Sequence, residues 1–447
     1  MPKSTRSFKV IIVGGSIVGL ITALALEKAG IDYVVLERGE IAPHLGASIS
    51  IFPHTQRVME QLGIWEEIRA GIIPLKDRYH YDQYGQLLES SAVLREISKM
   101  SLNRFTSFME RRFWLNCIYN GIQNKPKVLP HTSVTSFRET EDGVEVTTKE
   151  GKIIQGDILL GADGINSTIR NLMASHIART DATTSEEMRS GFTADYRCVF
   201  GTSRNYSPSD KDKPLLPGGM CHNVYYRGFS GASAAGAEDL IFWFLFVKSD
   251  HATKTPNTPR YTEEESEATI NKYGGYAVGP GYTFKDLWES RVRAAMVPLE
   301  EGVLKPKWNT GGRVALMGDA VHKSTVNPGL GGNLAVEGIV HLMNELVPLV
   351  RKCESDGGRK PTKSELVAVF DRYEVKQRPH ANFIVAFSAY VKKYDAMETW
   401  WLRVLLRVSP WISDKYKAGR LVSYMNEAPW LNFLPNPDEK GKANGTQ

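Results

Sequence analysis

Three short segments hold the residue types from which a nucleotide site can be built: Gly14–Gly19 (GGSIVG), Asp163–Arg170 (DGINSTIR) and Gly318–Asn333 (GDAVHKSTVNPGLGGN). Glycines at positions 14 and 19 allow a tight bend, close approach of backbone to a pyrophosphate and close helix–strand contact. Ser16 stands at the middle glycine position. Glu37 follows Gly14 by 23 residues, where an acid can accept ribose hydroxyls. Asp163 offers another acceptor, Gly164 lets backbone pass closely, and Arg170 adds a fixed cation. Asp319 can take a ribose or ribityl hydroxyl. Pro328 through Gly332 form a loop able to lie flat against a planar ring, with a helix N-terminus near Gly332 aimed at it. His322 is the obvious acid/base candidate, although a lone histidine more often serves as a hydrogen-bonded structural residue.

Regular elements must hold these segments in place. Phe8–Val13 is a β-branched run that suits a buried parallel strand. Ile17–Ala29 reads as an Ala/Leu-rich helix stopped by Gly30, and Tyr33–Leu36 as the next strand, completing a βαβ unit. The apolar Val10–Leu26 is interrupted by Gly14, Gly15, Ser16 and Gly19, so a strand, turn and helix fit it better than a signal peptide. Thr55–Leu62 and Glu110–Gly121 read as helices, and Val134–Thr147 as a hairpin turning at Glu141-Asp142-Gly143. Ile153–Leu160 reads as one strand feeding the second segment, where Ser167 and Thr168 are capping candidates. Arg313–Met317 reads as a strand feeding the third, followed by a helix over Ala335–Val350. Residues 76–104 look strand-like and irregular. Residues 187–298 carry aromatic β-type segments such as Tyr196–Phe200 and Leu240–Val247. Beyond about residue 361 the pattern turns helical.

The bulk properties narrow the function classes. The 447 residues carry a net charge of only +5 and no dense Lys/Arg block, which gives nucleic-acid binding little support. Cys117, Cys198, Cys221 and Cys353 are scattered without metal-ligand spacing, so no metal site is expected. Four reduced thiols suit a reducing, cytoplasmic compartment. No apolar run is long enough for an obvious membrane span.

Taken together, the three segments resemble the GxGxxG, DG and GD motifs of group A FAD-dependent monooxygenases. GASISIFP at Gly46–Pro53, MERRFW at Met109–Trp114 and the approach from Trp308 to GDAVHK match as well. GGSIVG, GDAVHK and the late NFLP further resemble the fungal subgroup acting on terpenoid, indole-diterpenoid and polyketide intermediates. The first motif by itself does not separate NAD(H) from FAD. The resemblance implies an α/β protein: a Rossmann-like FAD-binding domain, an inserted β-sheet substrate domain and a helical C-terminal segment. The expected boundaries are 1–75, 105–186 and 299–360 for the FAD-binding domain. They are 76–104 and 187–298 for the β-rich substrate domain, and 361–447 for the helical segment. The resemblance also implies FAD contacts at Gly14, Gly19, Glu37, Ser50, Arg111, Asp163, Asp319 and Gly332. NAD(P)H is the implied transient reductant, and O2 and a small apolar molecule are the implied substrates. Reduced flavin would add oxygen and pass it on as an electrophilic hydroperoxide.

Catalytic candidates come from the inserted β region. Arg197, inside Tyr196–Phe200, can face a substrate oxygen, and Tyr226 can orient substrate or donate a proton. A surface ion pair and simple packing are the competing uses of these two residues. Phe242, Trp243, Phe244 and Phe246 alternate enough for some of them to line an apolar pocket. In Thr399–Ile412 (TWWLRVLLRVSPWI), Arg403 and Arg407 share a helix face, with Trp and Leu on the others. That segment suits either a docked C-terminal helix or contact with a membrane surface. Three alternatives stay open on sequence alone: a flavin oxidase, dehydrogenase or halogenase that inserts no oxygen, a non-catalytic flavoprotein that binds and presents a substrate, and an NAD-only Rossmann enzyme.

Overall fold

The computed structural model describes residues 7–43, 48–206, 210 and 212–439. The β-branched segments form a five-stranded parallel sheet. Its order is Val314–Leu316, Ile158–Gly161, Lys9–Val13, Asp32–Leu36 and Val128–Leu129. Val10, Ile11, Ile12, Leu159, Leu160 and Leu316 are fully buried, as strands covered on both faces require. The helix Ile17–Ala29 covers the sheet and ends where Gly30 adopts a left-handed conformation. The helix Gly331–Ser355 packs on it, and the helix Lys363–Asp395 packs on that one in turn.

The segment read as one strand over Ile153–Leu160 is two. Ile153–Gly156 joins a three-stranded antiparallel sheet with the hairpin Val134–Glu139 and Val144–Thr148, whereas Ile158–Gly161 joins the parallel sheet. Asp157 makes the break. Its carboxylate accepts the Lys9 backbone N–H at 2.7 Å and pairs with Lys360 at 2.7 Å, so it cannot continue an apolar strand.

An eight-stranded sheet forms the second layer. Its order is His322–Lys323, Arg291–Val303, Thr193–Arg204, Leu240–Lys254, Phe229–Ala237, Met220–Tyr226, Asp77–Tyr81 and Leu87–Ser91. Strands from 76–104 therefore pair with strands from 187–298, through a parallel contact between Asp77–Tyr81 and Met220–Tyr226. Helices also occur where sequence texture read as β. Val93–Met100 buries Val93, Leu94 and Ile97. Glu263–Tyr273 and Phe284–Glu289 begin at complete capping boxes, Thr262/Glu265 and Thr283/Asp286.

The two faces of this sheet differ. On the outer face Val199, Trp243, Leu245, Val247 and Met296 form a core with Ile270, Phe284 and Leu287 of the two capped helices. On the inner face Tyr196, Cys198, Phe244, Phe246 and Leu299 form a separate cluster. A cleft opens between this inner face and the C-terminal ends of the parallel strands.

Candidate active site

The cleft has a volume of about 820 Å³ and collects all three sequence segments. At one end the first strand stops at Gly14, whose φ is +111°. A Cβ there would stand 2.4 Å from the Ala162 carbonyl oxygen, and one on Gly19 would stand 1.8 Å from the Gly14 carbonyl oxygen. Close packing of turn, strand and helix is thus the physical reason for glycine at both sites. Gly14, Glu37, Ser50, Arg111, Asp163, Asp319 and Gly332 all line the cleft, and Gly19 lies behind the turn, against Gly14 and Ile12.

The Glu37 carboxylate closes the turn by accepting the backbone N–H of Gly15 at 2.6 Å and of Gly39 at 2.8 Å. Ser16 fills the middle position with a purpose of its own: its hydroxyl accepts a hydrogen bond from Arg111 at 2.5 Å. Burial lowers the pKa of the Arg111 guanidinium, while the charges of Asp319 and Glu37 work the other way. Sequence reasoning named both residues without detecting their contact, because they lie 95 positions apart.

Asp163 is spent on its own turn. It accepts from the Ser167 hydroxyl at 2.5 Å and from the Ile169 N–H at 3.1 Å, and burial raises its pKa. Ser167 caps the following helix through the Arg170 N–H. Arg170 is buried beneath this site. It donates to the carbonyls of Ala320 at 3.0 Å and Ile165 at 2.5 Å, and so ties the second segment to the third. Burial lowers its pKa to about 10.

In the third segment Asp319 keeps 40 % of its side-chain surface open to the cleft and pairs with Lys323 at 2.6 Å. Burial raises the Asp319 pKa, but Lys323, His322 and Arg111 outweigh it and the net shift is downward. Lys323, in the short strand His322–Lys323 that follows the Gly318–Ala320 turn, was not singled out from sequence, because nothing local shows that this turn folds its ammonium back onto Asp319. Asn333 is the other missed residue. Its amide donates to the carbonyls of Ser50 at 3.1 Å and Gly329 at 2.9 Å and accepts the Phe52 N–H at 2.9 Å. The Ser50 hydroxyl donates to the Gly329 carbonyl at 2.7 Å. These bonds pin the Pro328–Gly332 loop to the strand Ser48–Ile51. Of the GASISIFP segment, Gly46 and Ala47 lie outside the described residues.

His322 is fully buried and does not line the cleft. Its Nε2 lies 3.3 Å from Gln377, its ring is tilted against Trp308, and burial pushes its pKa down to about 4. The four cysteines are buried free thiols. Among the described residues no cluster suited to a metal ion occurs.

The structure does not bring Arg197 and Tyr226 to the cleft. Along Thr193–Arg204 the inner face takes Tyr196, Cys198 and Phe200, so Arg197 points outward, toward Tyr261. The Tyr226 hydroxyl donates to the Ala277 carbonyl at 2.9 Å, and its ring stacks on Phe229 in the outer core. Period-two alternation explains both placements, because a shift of one residue exchanges the faces. The apolar residues that the sheet does present to the cleft are Phe200, Phe244 and Val297, joined by Phe108. Trp243 faces the other way, with its Nε1 bonded to Ser203 at 2.8 Å.

A glycine turn at the switch between parallel strands, two carboxylates and two cations describe a dinucleotide site, and the family comparison decides which one. Residues 7–385 match the FAD binding domain family. The chain belongs to the FAD-dependent monooxygenases. The FAD-dependent monooxygenase cdmI of Talaromyces verruculosus is 32 % identical over 98 % of this chain and 89 % of its own. The FAD-dependent monooxygenase paxM of Penicillium paxilli is 32 % identical over 97 % of this chain and 88 % of its own. In fold, the monooxygenase is similar to Klebsiella pneumoniae HpxO in complex with FAD and uric acid. The TM-score is 0.73 at 19 % identity, covering 94 % of this chain and 97 % of that one. It is likewise similar to p-nitrophenol 4-monooxygenase PnpA from Pseudomonas putida, with a TM-score of 0.70 at 19 % identity, over 94 % and 96 % of the two chains.

The residues present fit FAD. The helices Ile17–Ala29 and Gly331–Ser355 begin at the cleft without a side-chain cap, which leaves first-turn N–H groups free for a ligand. The helices begun by Thr262 and Thr362, by contrast, are capped by those side chains. Glu37 and Asp319 supply acceptors for hydroxyls, and Arg111 and Lys323 supply positive charge.

Proposed function

We propose that this monooxygenase uses FAD, reduced by NAD(P)H, to hydroxylate or epoxidise an apolar natural-product intermediate such as a terpenoid, indole or polyketide. One observation carries the substrate class. Phe108, Phe200, Phe244 and Val297 continue the FAD cleft as an apolar wall, and Val297 stays 36 % exposed although it faces inward. An apolar surface held open inside a cleft gains free energy when an apolar ligand covers it, roughly 25 cal/mol per Å².

In this reading Glu37 holds the adenosine ribose, and Asp319 and Arg111 hold the ribityl–pyrophosphate stretch. The Pro328–Gly332 loop, fixed by Asn333 and Ser50, presents the N–H groups of Gly331 and Gly332 to the ring system. FAD supplies the uptake of two electrons and the transfer of one atom of O2. The chain positions the substrate against the apolar wall and excludes water. Asp163 acts by keeping the DG turn rigid. Arg197 and Tyr226 act from behind the sheet, by packing and hydrogen bonding in its outer layer.

The test is incubation with NADPH, isotopically labelled O2 and a panel of prenylated polycyclic compounds, with product mass as the readout. Incorporation of one labelled oxygen is expected. Oxidised product without label would convert the reading to an oxidase or dehydrogenase.

The C-terminal helix Trp400–Val408 supports a further part of the reading, peripheral contact with an anionic membrane surface. Leu402 and Leu406 face inward, while Trp400 is 70 %, Trp401 45 % and Trp411 84 % exposed beside Arg403 and Arg407. Aromatic side chains next to basic ones suit the headgroup region of such a surface. No helix among the described residues is long and apolar enough to cross a membrane.

A further inference from the structure

We propose that the substrate pocket has a second, polar end built around Arg78, which binds an acidic or carbonyl oxygen of an otherwise apolar substrate. The proposal rests on the monooxygenase reading and adds to it the chemistry of the substrate's far end.

The strand register carries the placement. Phe244, which lines the cleft, pairs with Ala232, Ala232 with Asn223, and Asn223 with His80. In the neighbouring row Phe242 pairs with Ala234, Ala234 with Cys221, and Cys221 with Arg78. Residues directly opposite one another share a face, so Arg78, His80 and Asn223 stand on the same inner face as Phe244. Three strand spacings separate the two ends, about 14 Å. Tyr225, next to the outward-facing Tyr226, also points inward, and its hydroxyl lies 2.5 Å from His80 Nδ1.

This end is built for a ligand it does not itself supply. Arg78 sits deep under the covering helices, yet Arg78, His80 and Asn223 are each only half-buried. The Arg78 Nε is buried without a hydrogen-bond partner, and its polar neighbour is the Cys221 thiol. Among the described residues no carboxylate lies in salt-bridge range of Arg78. Asp395, which acts on it electrostatically, instead accepts from Asn327 at 3.0 Å, directly before the Pro328–Gly332 loop. The Asn223 amide has no hydrogen-bond partner among the described residues. A buried guanidinium without a carboxylate is expensive, and a substrate oxygen would offset that cost. Tyr225, Met397 and Leu406 roof the site with apolar surface. The complementary molecule has an apolar body lying along Phe244 and a phenolate, enolate, carboxylate or carbonyl oxygen at Arg78.

The test uses the oxidised FAD-loaded enzyme and needs no turnover. Binding of biphenyl and of biphenyl-4-carboxylate is followed by perturbation of the flavin absorbance. The wild type is expected to favour the carboxylate by about tenfold, the scale of a hydrogen bond to a charged group. Arg78→Met should abolish that preference, Arg78→Lys should keep part of it, and Phe244→Ala should weaken both probes alike. Asn223→Asp leaves the buried cation in place and should turn the preference toward neutral biphenyl, so it decides the matter even where Arg78→Met fails to fold. A wild type that binds neither probe, shows no preference, or keeps its preference in Asn223→Asp overturns the proposal. Failure of the monooxygenase reading is seen separately, as absence of label in product.

Discussion

At the residue scale, the cleft sorts its glycines by what surrounds them. Gly14 and Gly30 both have positive φ, but a Cβ on Gly14 would meet Ala162 at 2.4 Å, whereas one on Gly30 would meet nothing within 4 Å. Gly30→Ala should therefore cost only about 1 kcal/mol of stability and leave FAD bound. Gly14→Ala must displace the turn that lines the cleft and leads into the uncapped helix Ile17–Ala29, and FAD affinity should fall by about tenfold or more. The flavin-to-protein absorbance ratio after gel filtration, together with Tm, checks both. Equal flavin loss in the two variants would remove the role given to the Gly14 turn. Glu37 and Asp319 were singled out by their spacing from glycine turns at strand ends, and both line the cleft. Arg78, Asn223 and Tyr225 were not legible, because nothing in a strand's sequence says which of its faces will meet the cleft.

At the scale of elements, the helix Gly331–Ser355 does two jobs: its first turn lines the cleft and its middle anchors the C-terminal helices. Glu337 is buried there, with His54 Nε2 at 3.2 Å, His380 Nδ1 at 3.4 Å and the Tyr424 hydroxyl at 2.5 Å. Burial pushes the Glu337 carboxyl up, but hydrogen bonds from His380, His54 and Tyr424 outweigh it and bring the pKa to about 2. Hydrogen bonding to Glu337 raises the His380 pKa above its ordinary 6.5. The signs follow by linkage. The Glu337 contribution is present above its unfolded pKa of 4.5 and is lost as pH falls toward about 2. The His380 contribution is present below 6.5 and is lost as pH rises through its raised folded value. Glu337→Gln should cost about 3–5 kcal/mol, the scale for breaking a buried pair. The difference from wild type should be greatest between about pH 4.5 and 6.5. Urea unfolding across pH measures it, and a pH-independent difference would show that the cluster acts by packing alone. Helix boundaries such as Ile17–Ala29 could be read closely because glycine punctuates them. The helices Val93–Met100 and Phe284–Glu289 escaped notice because eight and six residues are too few to establish a helical period.

At the scale of the whole molecule, the cleft lies between two sheets and carries the three glycine-and-carboxylate segments on one side and the apolar wall on the other, and the helix Trp400–Val408 lies against Tyr225 at the far side of the eight-stranded sheet's inner face. Its inner Leu406 meets Tyr225, and its outer side carries the exposed tryptophans. Contact with a membrane surface would therefore place the roof of the substrate site against the phase in which an apolar substrate dissolves. Vesicle flotation should show binding to phosphatidylserine-containing vesicles and little to pure phosphatidylcholine, with Trp400→Ser/Trp411→Ser reducing it about fivefold or more. No flotation with either vesicle would end that reading.

Sequence by itself determined the family and its FAD cofactor, through the glycine turn, Glu37, Asp319 and the segments around them, which line one cleft. Those motifs are local, since each needs only a strand, a turn and a helix start that lie together in the chain. Tertiary structure alone decided the faces of the eight-stranded sheet. It set which face of the eight-stranded sheet Arg197, Tyr225, Tyr226 and Arg78 occupy, and it brought Ser16 to Arg111 and Asn327 to Asp395. Strand alternation has a period of two and no absolute phase until the strand is docked, and contacts across hundreds of positions exist only once the chain has closed on itself.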